Sequence, residues 1–415
     1  MSSPALTLTF EQAIQRALEV NNDVERSRSQ IAVAEANKNL LLSAVLPRIE
    51  ANGALTRNSI EQSFGEGADA ITILPRNDWN YRIVLSQPIY AGRRELRAYT
   101  QAKIGIENAR QVGHATEDAT LLRVASSYLA LINAEARLEV ERRNIEIAER
   151  RREQARAFYD AGEVTNVDVL RAETAVKAAQ RAQAGAEQAR ELAASDLRQA
   201  LELDGDIEAV TPARKIPAPP SEEALIERAT GTRPDVDIAG NNVRIAKLEV
   251  KKQRGFALPV ITFDGGFTQQ KSPFPAASYS YGALRFNVPI FQSGEVPARV
   301  AAAREQELQA ELSLQDAQIT AREDVRRALV ALDGALTSLS LAREQLVAAE
   351  AEHAQSFELY RAQEATSLDV ATSELSLADA RRAVAEETLN RDLAELRVWY
   401  AAGAIKEALN VNGVH

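Results

Sequence analysis

The chain is written twice. Leu46-Pro47-Arg48-Ile49 returns as Leu258-Pro259-Val260-Ile261, 212 residues on. Gln87-Pro88-Ile89-Tyr90 returns as Val288-Pro289-Ile290-Phe291, and Tyr159 with Asp168-Val169 returns as Tyr360 with Asp369-Val370, at a constant offset of 201. The step from 212 to 201 places an 11-residue surplus between Pro47 and Pro88. A period near 200 is far beyond the roughly 20–50 residues of a solenoid repeat. It marks a duplicated half-molecule, so the fold must be one that two copies of a single element order build together.

Most of each half reads as long helix. Residues 93–158 contain no Pro and only Gly105 and Gly113, and residues 298–360 contain no Pro and only Gly334. Ala, Glu, Arg, Leu and Gln dominate both, and all are good helix formers. Leu121, Ala125, Tyr128 and Ile132 step by four, three and four, and Val325, Leu329, Leu332, Leu336, Leu339 and Leu346 continue the same alternation. That spacing gives an apolar seam with charged flanks, as in a coiled coil. Helices are expected over 93–160 and 166–203 in the first half and over 298–361 and 368–400 in the second. Shorter ones precede the strand segments, over 22–44 and 235–255. A rod of about 65 residues is roughly 100 Å long.

The pattern breaks at the same place in each half. Residues 48–90 and 256–291 hold 12 of the 21 aromatic residues, so about a fifth of the chain carries more than half of them. There the period becomes two. Ile49, Ala51 and Leu55 alternate with Glu50, Asn52 and Thr56, and Tyr81, Ile83 and Leu85 with Asn80, Arg82 and Ser86. In the second half Ile261, Phe263 and Phe267 alternate with Thr262, Asp264 and Thr268, and Leu284 and Phe286 with Ala283, Arg285 and Asn287. Each half therefore carries two strands with one apolar and one polar face, joined by loops near 59–77 and 270–278. The domain reading is a first repeat at 1–210, a Pro-rich connector at 211–220, a second repeat at 221–400 and a poorly ordered tail at 401–415.

Composition excludes several classes. The net charge is −10 with basic and acidic residues interleaved, which speaks against nucleic acid. Cysteine is absent, so disulfides, thiol chemistry and lipidation on cysteine are not expected. His114, His353 and His415 are far apart, so no metal site is expected, and no motif suggests an enzyme or a cofactor. No apolar run reaches the 18 residues of a membrane helix. Met1-Ser2-Ser3-Pro4 lacks the basic start and apolar core of a signal peptide, so the chain reads as cytosolic or as a processed form.

Four amphipathic strands leave open edges that invite pairing with another chain. Three copies would supply an even-numbered, closed 12-stranded ring with lipid outside and water inside. A soluble sheet packed on helices, within a coiled-coil scaffold, fits the periodicity as well. At this point particular residues resemble a family. Leu8-Thr9-Phe10-Glu11-Gln12-Ala13-Ile14 resembles the opening helix of the TolC-like outer-membrane efflux proteins. Leu46-Pro47 and Leu258-Pro259 stand where its first strands begin. Gln87-Pro88-Ile89-Tyr90-Ala91-Gly92 and Val288-Pro289-Ile290-Phe291-Gln292-Ser293-Gly294 resemble its strand-to-helix junctions. Residues 159–170 resemble its helix-turn tip. The resemblance covers nearly the whole chain.

The resemblance implies a mainly α fold with a β-barrel part: a homotrimer with a 12-stranded barrel in outer-membrane lipid and a helical tunnel through the periplasm. It implies a bacterial outer-membrane location, a leader already removed, and work with a periplasmic adaptor and an inner-membrane pump of antiporter or ABC type. The cargo would be small molecules such as drugs, toxic compounds or metal ions, with an outlet for type I protein secretion as the alternative. Adaptor docking carries over to Gly162, Val164 and Thr165 at the first tip and to Gln363, Ala365 and Thr366 at the second, where Gln363 replaces glycine. Asp369 matches an acid at the family's periplasmic aperture, and Thr372 stands where a further acid would be. Asp168 and Tyr360 match two members of a tie between helix pairs whose third member, an Arg, is Ala365 here. A weaker gate is expected, or a substitute such as Arg361. By local reasoning alone, Gly162 suits a helix reversal, Thr165 or Asn166 a cap, and Asp168 and Asp369 a helix N-terminus.

Overall fold

A computed structural model of the chain describes residues 6–65, 67, 71–205, 207–210, 216–272, 276–362 and 364–411. In chain order the elements are β1 (Leu6–Leu8), α1 (Phe10–Val20), α2 (Asn22–Ser43), β2 (Arg48–Arg57), β3 (Gln62–Phe64), β4 (Ile71–Leu74) and β5 (Asn77–Ala91). Then follow α3 (Arg94–Asp160), α4 (Asn166–Leu201), β6 (Ile207–Ala209), α5 (Glu222–Thr232) and α6 (Pro234–Arg254). The rest comprises β7 (Val260–Gln270), β8 (Ser278–Asn287), α7 (Glu295–Arg361), α8 (Ser367–Ala401) and α9 (Ile405–Ala408). The two rods are real and equal: α3 and α7 each run 67 residues, roughly 100 Å of uninterrupted helix.

The chain divides into two compact units whose segments interleave, because both rods contribute to both units. One unit comprises residues 29–111 and 237–316. Its centre is a four-stranded antiparallel sheet in the order β2-β5-β7-β8, so the two hairpins of the two repeats join edge to edge. Register places Ile49 opposite Leu85, Ala51 opposite Ile83, Ile83 opposite Phe267 and Phe263 opposite Leu284. Opposed residues share a face, so the apolar positions form one continuous surface. It is not covered: Ile49, Leu55, Ile83, Phe267 and Phe286 are all exposed. The other face is polar. Ser86 donates to Asp264 Oδ1 at 2.8 Å and Arg285 Nε lies 2.9 Å from Asp264 Oδ2. Both outer strands, β2 and β8, have a free edge among the described residues.

The surplus in the first repeat has a structure. The connection near 59–77 is not a plain loop. It carries the antiparallel ribbon β3–β4, in which Ser63 pairs with Thr72 and Phe64 with Ile71. The connection from β7 to β8 is short by comparison. Within β5, Pro88 cannot donate to the ladder, and the register with β7 slips between Pro88 and Tyr90.

The other unit comprises residues up to 28, 112–236 and 317 onward. Here β1 and β6 pair in parallel over a core built from α1, α3, α4, α8 and α9. Leu121, Val124, Tyr128, Leu131, Leu197, Leu396 and Ile405 are fully enclosed, each such side chain contributing about 1.5–3 kcal/mol. The Tyr128 hydroxyl bonds the carbonyls of Leu8 and Val210 at 2.8 and 2.6 Å, stapling both sides of the small sheet. Burial pushes that phenol up to about 12. Thr9 starts α1 with a reciprocal capping box to Gln12.

Two expectations change here. The tail is not loose up to Val411. After Gly403, which adopts φ +67, α9 turns back and buries Ile405, Ala408 and Leu409 in the core. Lys406 Nζ sits 2.5 Å from Glu117 and Arg228 sits 2.6 Å from Glu407. The α7 seam is also narrower than the spacing suggested. Val325, Leu332 and Leu339 are buried, whereas Leu336 is exposed. Residues 211–215 of the connector, Phe274 and His415 lie outside the described residues.

Candidate functional site

Two helix reversals, α3 to α4 and α7 to α8, carry the residues singled out by the repeat. The first is a Schellman turn. Gly162 takes φ +79, its N–H donates to the Tyr159 carbonyl, and the Glu163 N–H donates to the Phe158 carbonyl, both at 2.9 Å. Val164 is half-buried. Thr165 then caps α4: its N–H and hydroxyl donate to Asp168 Oδ2 at 3.2 and 2.8 Å.

The second tip repeats this geometry 201 residues later. The Glu364 N–H donates to the Leu359 carbonyl at 2.8 Å. The Thr366 N–H and hydroxyl donate to Asp369 Oδ2 at 2.8 and 2.7 Å, and the Asp369 N–H returns to Thr366 Oγ1 at 3.3 Å. Gln363 lies outside the described residues. Both carboxylates thus close capping boxes. Asp369 is exposed, and its Thr366 partners hold its pKa below the usual range.

Asp168 does more than cap. Its other oxygen, Oδ1, accepts a hydrogen bond from Ser367 Oγ, the first residue of α8. That bond, followed by those from Thr165, keeps the carboxyl below its ordinary value. The two tips are therefore tied to each other. Tyr360 stacks obliquely on Phe158, with ring centroids 6.1 Å apart. Burial raises its pKa, opposed by the nearby charge of Arg151. Phe158, Val164, Thr165, Asp168, Tyr360 and Ala365 line one open groove between the tips.

Arg361 is not the substitute for the missing Arg. It pairs with Glu358 of its own helix at 3.3 Å and both are exposed. At the end of α7 it points to solvent. The guanidinium that reaches across is Arg151. It sits 2.6 Å from Glu374 Oε2 on α8 and also donates to the Ser367 carbonyl. In sequence Arg151 is the middle residue of Arg150-Arg151-Arg152, within the charged flanks of the rod. Only 13% of its side chain is exposed. A second pair lies further along: Arg382 Nε and Nη2 grip Glu141 Oε1 and Oε2 at 2.6 and 3.1 Å. No cluster of His, Cys, Asp and Glu suited to a metal ion occurs among the described residues. Among the described residues no helix is long and apolar enough to cross a membrane.

A family described as Outer membrane efflux protein matches the chain over residues 13–202 and 225–404, one stretch in each half. The pyoverdine export outer membrane protein OpmQ of Pseudomonas aeruginosa is 25% identical over 414 residues, covering 95% of this chain and 85% of that protein. Among solved structures, the Campylobacter jejuni CmeC outer membrane channel superposes with a TM-score of 0.80 at 18% identity, over 95% of this chain and 86% of the other. The open state of the Neisseria gonorrhoeae MtrE outer membrane channel gives 0.79 at 19% identity, over 95% and 89%. At those identities the structural likeness speaks to the fold, and the mainly helical architecture with few strands is shared.

Proposed function

This chain belongs to the outer membrane efflux protein family, and from that premise we propose that three copies form the exit duct of a tripartite efflux system. The protein is an outer-membrane channel protein and not an enzyme, as its family is. One observation supports the trimeric barrel above others. A four-stranded sheet has two unpaired edges and a bare apolar face. A lone sheet of that kind is an aggregation hazard. Three of them, joined β8 to β2, close a 12-stranded barrel with the apolar face toward lipid and the Asp264–Arg285 face toward water. Recovery from outer membranes as a detergent-stable trimer that conducts ions in planar bilayers is the expected result. A soluble monomer lacking conductance would overturn the reading.

The cargo we infer is a small molecule handed over by an inner-membrane pump through a periplasmic adaptor. Its support is the likeness to a pyoverdine exporter along nearly the whole chain. The tips are the gate and the adaptor-docking ends. Gly162, Val164 and Thr165 offer a preformed turn at the first, and Ala365 and Thr366 its counterpart at the second, where Gln363 lies outside the described residues. In a threefold assembly Asp369 becomes a ring of three carboxylates that favours cations, while Asp168 and Tyr360 hold the pairs together. An Asp369→Ala channel with unchanged conductance and unchanged block by divalent cations would remove Asp369 from the constriction.

A further inference from the structure

We propose that Arg82, repeated three times around the barrel, forms a cationic ring in the outer half of the lumen that selects aromatic organic anions as cargo. The proposal rests on the trimeric-duct reading, with the polar face of the sheet turned to water. On that face the register sets Asn52 of β2, Arg82 of β5, Thr268 of β7 and Tyr279 of β8 side by side in one row. The next row toward the helices is Glu50, Val84, Gly266 and Tyr281. Arg82 lies nine residues before the end of β5 at Ala91, about 30 Å of strand. The rod α3 leaves from that end and the ribbon β3–β4 joins the other, so Arg82 belongs to the half of the barrel away from the tunnel.

The other charges on this face are met locally. Arg48 lies 3.6 Å from Glu50 and Arg285 lies 2.9 Å from Asp264. Asp78 accepts the Trp79 N–H at 2.9 Å near the outer end of β5, four residues or about 13 Å from Arg82. Arg82 is exposed and forms no ion pair among the described residues. Beside it lies an aromatic surface. A Cβ on Gly266 would stand 2.6 Å from Cε1 and 2.9 Å from the hydroxyl oxygen of Tyr281, so the glycine makes room for that ring to lie across β7. Gly266 is the diagonal neighbour of Arg82, at a spacing of about 7–8 Å that arginine and aromatic side chains bridge. Thr268, directly opposite Arg82, is 1% exposed and its hydroxyl has no hydrogen-bond partner among the described residues. A guanidinium, an aromatic plate and an unused hydroxyl within two rows suit a carboxylate carried on an aromatic ring. The fork of Arg82 takes the carboxylate, the Tyr281 ring stacks on the ligand, and the Thr268 hydroxyl donates to it. An organic cation of the same shape meets like charge.

Twelve strands about 4.8 Å apart and tilted about 40° give a backbone radius of about 12 Å. Three unit charges at that distance change the anion-to-cation preference on the axis about twofold at 0.15 M salt and about tenfold at 0.01 M. The test is reversal potential and block of the full-length trimer in planar bilayers under a potassium chloride gradient. Arg82→Gln should lower the chloride-to-potassium permeability ratio about twofold near 0.15 M and more at lower salt, and Arg82→Glu should lower it further. Asp369 is common to all these variants and drops out of the comparison. Benzoate should reduce the parent current more than benzylammonium does, and Arg82→Gln should weaken the benzoate block about tenfold, the scale of one hydrogen bond to a charged group. Tyr281→Leu should weaken that block and leave the permeability ratio unchanged. A conducting Arg82→Gln trimer with the parental ratio overturns the ring and leaves the duct standing, whereas a parent without conductance overturns both. Benzoate block that equals benzylammonium block in the parent, or that survives Arg82→Gln undiminished, overturns the aromatic-anion site. Should Arg82→Gln fail to assemble, Arg82→Lys decides, since it keeps the charge and loses the fork: the parental ratio with weakened benzoate block supports the site, and parental block overturns it.

Discussion

The backbones of Gly92 and Gly255 cross so closely that neither position has room for a side chain. A Cβ on Gly92 would lie 2.2 Å from the Gly255 carbonyl oxygen, and one on Gly255 would lie 2.6 Å from that of Gly92. Gly92 also takes φ +65 where β5 passes into α3. Beside this crossing, Arg94 and Arg299 both lie over the Phe256 ring, at 4.4 and 4.8 Å from its centroid. The starts of α3 and α7 thus share one aromatic ring, through Arg94 and Arg299.

Gly92→Ala and Gly255→Ala should each cost about 2 kcal/mol or more, because the obstacle is backbone and cannot rotate away. Gly162 also has positive φ, but nothing stands within 4 Å of its Cβ position, so Gly162→Ala should cost only about 1–2 kcal/mol of strain. Thermal unfolding of the three variants ranks them. If Gly255→Ala melts no earlier than Gly162→Ala, the crossing does not constrain the fold.

Glu141 is the buried acid whose partner matters most. Burial alone would raise its pKa, but the hydrogen bonds from Arg382 and Asn144 outweigh it and the net shift is downward. Removing the guanidinium strands a charge in the seam, so Arg382→Ala should cost about 3–5 kcal/mol. Glu141→Gln should cost less, because Arg382 keeps Asp379 at 2.7 Å. Equal losses in a denaturant titration would contradict this ordering.

Asp118 carries the opposite expectation. Burial, only partly offset by Lys406, raises its carboxyl from 3.8 to about 6, so the folded chain binds a proton that the unfolded chain has released. Its contribution is complete below 3.8 and is lost as pH rises to about 6. Asp118→Asn, which stays neutral, should therefore raise the melting temperature near pH 7 and change it little near pH 4. A variant that is less stable at neutral pH would show that the Lys406 contact outweighs the burial.

The tie between the tips should resist mild acid. Ser367 and Thr165 lower the pKa of Asp168 from 3.8, so its stabilisation is present above that value and disappears only as pH falls through the lowered one. Channel opening recorded from pH 7 downward should show no Asp168-dependent step near pH 5–6. A step in that range that vanishes in Asp168→Asn would contradict the assignment.

The sequence was most legible where physics is local. Thr165 read as a cap and Asp168 and Asp369 as helix N-terminal acids from local reasoning alone, and both acids close capping boxes. The strand faces followed from alternation, because opposed residues share a face along β2, β5, β7 and β8 up to the slip between Pro88 and Tyr90. Three features were not legible. Arg150, Arg151 and Arg152 look alike in sequence, and helix phase alone turns Arg151 onto α8. Ile405, Ala408 and Leu409 have helical spacing, but four residues of helix form only because the core receives them. The alternation at Ile71–Leu74 was lost inside a segment that looked like a loop.

The central claim is that β8 of one copy pairs with β2 of the next, three times around. The chain contains no cysteine, so single cysteines can be placed along the two free edges without background. One cysteine in β2 combined with one at each successive position of β8, oxidised in membranes, should at the correct register give a ladder that ends at the trimer of the 45.3 kDa chain. Monomer at every register, or a ladder extending past three, would contradict the closed barrel.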